Sequence, residues 1–182
     1  MPPRILIYLL RRDLRIADNP ILHEISQLAS ASDAPFTHLL PIYIFTANQI
    51  ELSGLISAPG LESPYPEART EVGNFWRCGH HRARFLAESV WTLKDSLERA
   101  GCGLLIRAGM AEDVVRDALD WYADSQDDTR GTVTGIWMTG EVTVEEVQEQ
   151  DAVQKVAEER NLEFKLWTDE KYFVDECALS LG

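Results

Sequence analysis

Short apolar runs and longer stretches of helical periodicity alternate along the chain. The runs at residues 5–10, 39–45, 104–106, 133–138 and 162–167 are rich in β-branched and aromatic side chains, and apolar runs of that length predict strands covered on both faces. The first, ILIYLL, is unbroken, as a central parallel strand would be. Pro41 interrupts the second, and because proline has no donor for a sheet ladder the strand is expected to begin near it. Between the runs, Ile21, Leu22, Ile25, Leu28 and Ala29 mark the inner face of a helix over residues 20–32. Leu86, Val90, Leu93, Leu97 and Ala100 recur at helical steps, with Gly101 as a C-terminal stop, and one buried face follows. A third stripe comprises Ala111, Val114, Val115, Ala118, Leu119 and Tyr122, and a fourth helix is expected from Thr143 to about Arg160.

Local signals place the helix starts. Asn19 followed by Pro20 supplies an N-cap and a proline at the first helical position. Thr143, with Glu146 three residues on, reads as a capping box. Five strands alternating with four helices predict an α/β fold, a doubly wound, five-stranded parallel sheet of Rossmann-like type flanked by helices. In such a sheet ligands bind outside the carboxyl ends of the strands where strand order reverses, so the loops at 11–18 and 139–142 should be neighbours. Residues 46–77 contain Pro59, Gly60, Pro64, Pro66 and Gly73 and are irregular. A segment of that length is usually functional or covers another surface. Residues 124–131 form a polar loop, and 172–182 an apolar and acidic tail.

Composition narrows the function classes. A chain of 182 residues with 45% apolar content can form one domain spanning residues 1–182, with its own core. Its net charge of −13 repels polyanions, so no direct nucleic-acid contact is expected. Charge is uneven: in residues 141–176 twelve acidic residues against four basic ones leave −8, whereas residues 1–20 have four arginines against two aspartates, or +2. A solvated acidic face accounts for the first region. Cys78, Cys102 and Cys177 are widely separated, which favours free thiols in a reducing intracellular compartment, whether cytoplasm, nucleus or organelle. The initial apolar run is too short for a signal-peptide core or membrane span, and no membrane association is expected.

Candidate chemistry is sparse. Gly135 and Gly140 have the spacing of a phosphate-binding loop, but Glu141 and Val142 stand where lysine and serine or threonine are required, and a carboxylate there repels an anion. No G-x-G-x-x-G follows the first strand. His80 and His81 are adjacent, His23 and His38 isolated, so no metal site is expected. Glu145-Glu146 and Glu158-Glu159 fall on helix faces expected to be exposed. Trp91 and Trp121 on helices, and Trp137 and Trp167 on strands, are expected to serve core packing. Glu141 differs, because it falls at the carboxyl end of the fourth strand. It can be a ligand-facing acceptor or a plain loop carboxylate favoured by the following helix N-terminus. Arg12 and Asp13 read as an ion-pair network or a contact to a following domain rather than a catalytic pair.

Several stretches resemble one family. The R-x-D-L-R-x-x-D-N pattern of residues 11–19, GHHRARFLAESVWTLKDSL at 79–97 and GEVTVEE at 140–146 are similar, in order and spacing, to motifs of the cryptochrome and DNA photolyase family, DASH type. SPYPEAR at 63–69 and FWRCG at 75–79 look most like fungal members. The chain departs from the family at FTANQ, residues 45–49, where many members have an F-D-P-R-like sequence. The resemblance implies the N-terminal α/β domain of a blue-light photoreceptor or DNA-repair flavoprotein, not catalytic on its own. It implies that Glu141, with Gly140 beside it, binds a folate antenna, 5,10-methenyltetrahydrofolate, as acceptor for its amino-pteridine end. It also implies that FAD, the electron-transfer tryptophans and the DNA-binding surface belong to a C-terminal helical domain absent from this chain, its partner in cis or in trans. The alternative is a stand-alone, non-catalytic nucleotide-binding or protein-interaction module of the same fold.

Overall fold

The computed structural model describes residues 2–31, 33–52, 61–65, 67–124 and 130–167. Cys177, the 172–182 tail, Pro59, Gly60, Pro66 and most of the 124–131 loop lie outside the described residues. Strands β1 (Arg4–Leu10), β2 (His38–Thr46), β3 (Leu105–Gly109), β4 (Thr132–Thr139) and β5 (Glu163–Trp167) alternate with helices α1 (Pro20–Ala29), α2 (His80–Arg99), α3 (Ala111–Ala123) and α4 (Val144–Glu159). All strand pairs are parallel and the order is β3-β2-β1-β4-β5.

The sheet is wound on both faces. Ile5, Ile7 and Leu9 of β1 meet Val115 and Leu119 of α3 and Val153, Val156 and Ala157 of α4. Leu6, Tyr8 and Leu10, pointing the opposite way, meet Ile21 and Ile25 of α1 and Val90, Leu93 and Leu97 of α2. Period-two alternation on one strand thus feeds two cores, which is why every position of β1 after the exposed Arg4 is buried. Asn19 ties the first helix to this strand: its side-chain oxygen accepts from the Leu22 amide at 3.0 Å while its Nδ2 donates to the Tyr8 hydroxyl at 3.1 Å. Gly131 closes the turn into β4 at φ +84°, where a Cβ would stand 2.4 Å from the Pro3 carbonyl oxygen.

Three expectations are corrected. Strand β2 begins at His38, and Pro41 lies inside it, opposite Tyr8 of β1. Pairing with β3 starts only at Ile42, so Pro41 sits where β2 has a single ladder neighbour and the missing donor is tolerated. Trp91 and Trp121 are not core residues; they are 57% and 53% exposed, whereas Trp137 is buried. Finally, the Thr143 hydroxyl donates to the Glu146 carboxylate at 2.7 Å rather than capping a backbone amide. Among the described residues no helix is long and apolar enough to cross a membrane.

Candidate functional site

Strands β1 and β4 are neighbours whose following chains leave in opposite directions, β1 toward β2 and β4 toward β5. Their carboxyl ends therefore frame the crevice where ligands bind in sheets of this kind. The first residue past β1 is Arg11, and its guanidinium turns toward β4. Nη1 donates to the Thr139 carbonyl at 3.3 Å and to Gln150 Oε1 at 2.9 Å, and Nη2 donates to the Glu146 carbonyl at 3.0 Å. The same Nη2 pairs with Glu149 Oε1 at 3.0 Å, with side chains only 7% and 8% exposed. A planar fork with several donors suits this convergence, which a lysine could not reproduce.

Helix α4 supplies the opposite wall. Val153, Val156 and Ala157 belong to the core, and one and two turns earlier the same face carries Gln150 and Glu146, both buried. Glu146 is 2% exposed and pairs with Arg12. The expectation that Glu145 and Glu146 are both solvated is therefore corrected: Glu145 is exposed and pairs with Arg77, but Glu146 faces inward. The acidic region is likewise more than a solvated face, since Glu146 and Glu149 take up the two arginines that follow β1. Burial pushes the Glu149 carboxyl above its ordinary value, and Arg11 opposes that shift. Asp13 pairs with Arg15.

Glu141 stands at the top of this arrangement. Its backbone amide donates to Gln150 Oε1 at 2.5 Å, and the Gly140 amide donates to the Trp167 carbonyl at 2.8 Å. The Oε1 atom of the Glu141 side chain is buried and has no hydrogen-bond partner. A buried carboxylate oxygen without a donor is costly, so this atom calls for an N–H or O–H group. On the other side of Arg11 and Arg12, Tyr43, Gln49, Arg82 and Glu149 border a cavity of about 70 Å³, well below the ~300 Å³ at which pockets begin to enclose organic ligands. The 45–49 departure lies beside it: Thr46 ends β2 and Ala47 is buried, its amide bonded to the Gly109 carbonyl. His80 and His81 stack with ring centroids 3.7 Å apart, and no group of three or more His, Cys, Asp or Glu that could hold a metal occurs among the described residues. Sequence reasoning singled out Gly140 and Glu141, which are adjacent to the network, but missed Gln150 and Glu149. Their spacing with Val153 on the buried face of α4 was the available signal.

The fold is that of an α/β domain, a doubly wound parallel sheet with charged residues gathered at its strand-order reversal. Residues 6–175 match the family described as DNA photolyase, and the chain belongs to that family as its N-terminal α/β domain. It is 47% identical to a putative cryptochrome DASH of the fungus Gibberella zeae over 95% of this chain and 24% of that protein. The chain thus spans about a quarter of the length of that relative. Its fold is similar to a Synechocystis cryptochrome, with TM-score 0.68 at 22% identity, covering 92% of this chain and 28% of the other. It is also similar to a photolyase of Sulfolobus tokodaii, with TM-score 0.58 at 23% identity over 91% and 29% of the two chains. The latter structure holds two FAD molecules and is described as implying a novel light-harvesting cofactor.

Proposed function

We propose that this chain is the antenna domain of a DASH-type cryptochrome or photolyase, folding as one unit over residues 1–182, and that it holds a reduced folate against a flavin domain. The observation that carries the reading is the buried, unpartnered Oε1 of Glu141 at the carboxyl end of β4. A carboxylate accepts two N–H groups side by side, which matches the amino-pteridine edge of 5,10-methenyltetrahydrofolate. Gly140 holds the preceding turn, its amide donating to the Trp167 carbonyl at 2.8 Å. When bound, the folate absorbs near-ultraviolet light and passes the excitation to FAD. We assign the surface that covers the rest of the ligand to the helical FAD-binding domain. On this reading the chain itself performs no bond chemistry.

The test is a titration of 5,10-methenyltetrahydrofolate into the chain joined to a flavin-loaded C-terminal domain, followed by pterin absorbance and fluorescence. Saturable binding is expected. Glu141→Ala, which removes a charged acceptor, should weaken it by about 10–100-fold, equivalent to roughly 1.5–3 kcal/mol. Pterin spectra that do not change on titration, or an unaltered affinity in Glu141→Ala, would refute the proposal.

A further inference from the structure

The loop that presents Glu141 is held at two successive amides. Gly140 N–H is bound by the β5 carbonyl of Trp167, and Glu141 N–H by Gln150 Oε1. Beyond it Val142 is 94% exposed, and Thr143 bonds into the first turn of α4. Gln150 is itself buried. Its oxygen accepts from Glu141 N at 2.5 Å and from Arg11 Nη1 at 2.9 Å, and two donors converging on one oxygen fix which way the amide points. Arg11 is in turn immobilised by the Thr139 and Glu146 carbonyls and by Glu149. A rigid chain of contacts therefore runs from the end of β1, through Arg11 and Gln150, to the backbone of Glu141.

We propose that Gln150 is the positioning residue of the site: held by Arg11, its side-chain oxygen fixes the Glu141 amide and thereby sets where the Glu141 carboxylate stands. The consequence for ligand affinity rests on the antenna reading of Glu141; the hold on the loop does not. Gln150→Met keeps the length of the side chain and removes the acceptor, whereas Gln150→Glu keeps an acceptor oxygen in place. Hydrogen exchange of the Glu141 amide, read by NMR on the chain, should accelerate by about tenfold or more in Gln150→Met, the loss expected for one well-made hydrogen bond. The amide of Val153, deeper in α4, should be unaffected, and Gln150→Glu should restore protection at Glu141. Folate affinity in the flavin-loaded protein should fall by about tenfold in Gln150→Met and stay near wild type in Gln150→Glu. Gln150→Asn, which withdraws the acceptor by one methylene, serves if Gln150→Met does not fold, and the same acceleration is expected. Unchanged exchange at Glu141 in the variant lacking the acceptor overturns the proposal, even where Glu141→Ala abolishes folate binding. Accelerated exchange in a protein that never binds folate supports the hold on the loop and overturns the antenna reading alone.

Discussion

Replacing Arg11 with alanine should cost the fold about 3–5 kcal/mol, the range observed when one member of a buried ion pair is removed. For a chain of this size that is a drop in Tm on the order of 10 °C. The effect exceeds the loss of a surface pair because Arg11 and Glu149 are both almost wholly buried, and the substitution leaves the Glu149 carboxylate in the interior with no cation. Two backbone carbonyls and Gln150 lose a donor at the same time. The penalty should depend on pH in a defined direction. Burial already raises the Glu149 pKa, and Arg11 is the principal opposing influence, so its removal raises that pKa further. A carboxyl whose folded value lies above its unfolded one favours the fold when protonated, and that contribution is lost as pH rises from the unfolded value through the folded one. Arg11→Ala should therefore be least destabilising near the ordinary glutamate pKa and most destabilising at neutral pH. Adding Glu149→Leu should recover much of the loss, because an apolar replacement relieves the stranded charge. Urea unfolding of the single and double variants across this pH range checks each statement, and equal stability loss at every pH would contradict the buried-pair account.

Trp137→Ala should be comparably severe, about 3–5 kcal/mol by urea unfolding, but insensitive to the charge network. The indole lies in β4 on the face away from α3 and α4, edge-on to Phe36 with ring centroids 6.3 Å apart and 5.4 Å from Trp167. Lys165 Nζ stands 4.6 Å from its centroid and 4.0 Å from that of Trp167. Alanine there leaves a large cavity in the core on the α1 and α2 face of the sheet, where close packing limits collapse. Trp91→Ala should by contrast change stability by no more than about 0.5 kcal/mol, since that ring stands on the outer side of α2. Similar losses at the two positions would contradict the burial assigned to them.

That contrast shows what the pattern of apolar residues carries and what it hides. The strands at β1 and β4, the helix stripe of Val90, Leu93 and Leu97, and the meeting of the β1 and β4 loops all follow from periodicity and topology. Helical geometry also excluded Trp91, one residue and about 100° past Val90, but treating large aromatics as core by type overrode that signal. The same habit, reversed, hid the network. Glu146, Glu149 and Gln150 are polar, so a reading by residue class puts them in solvent, although Glu146 and Gln150 continue the Val153–Ala157 face. Position on the helix, not polarity, decided their burial, and the two arginines that follow β1 made that burial tolerable. No local signal names Arg11 as their partner, because the contact joins residues 139 positions apart and exists only once β1 and β4 are side by side. Pro41 was misplaced for a related reason: its tolerance depends on where β3 starts, which β2 does not encode.

The antenna claim is tested most directly by the excitation spectrum of the flavin. In the flavin-loaded protein carrying 5,10-methenyltetrahydrofolate, a near-ultraviolet pterin band should appear in the spectrum for FAD photoreduction. It should be lost in Glu141→Ala while excitation through the flavin's own bands persists. A spectrum that follows flavin absorption alone in the wild type, with folate demonstrably bound, would contradict the account.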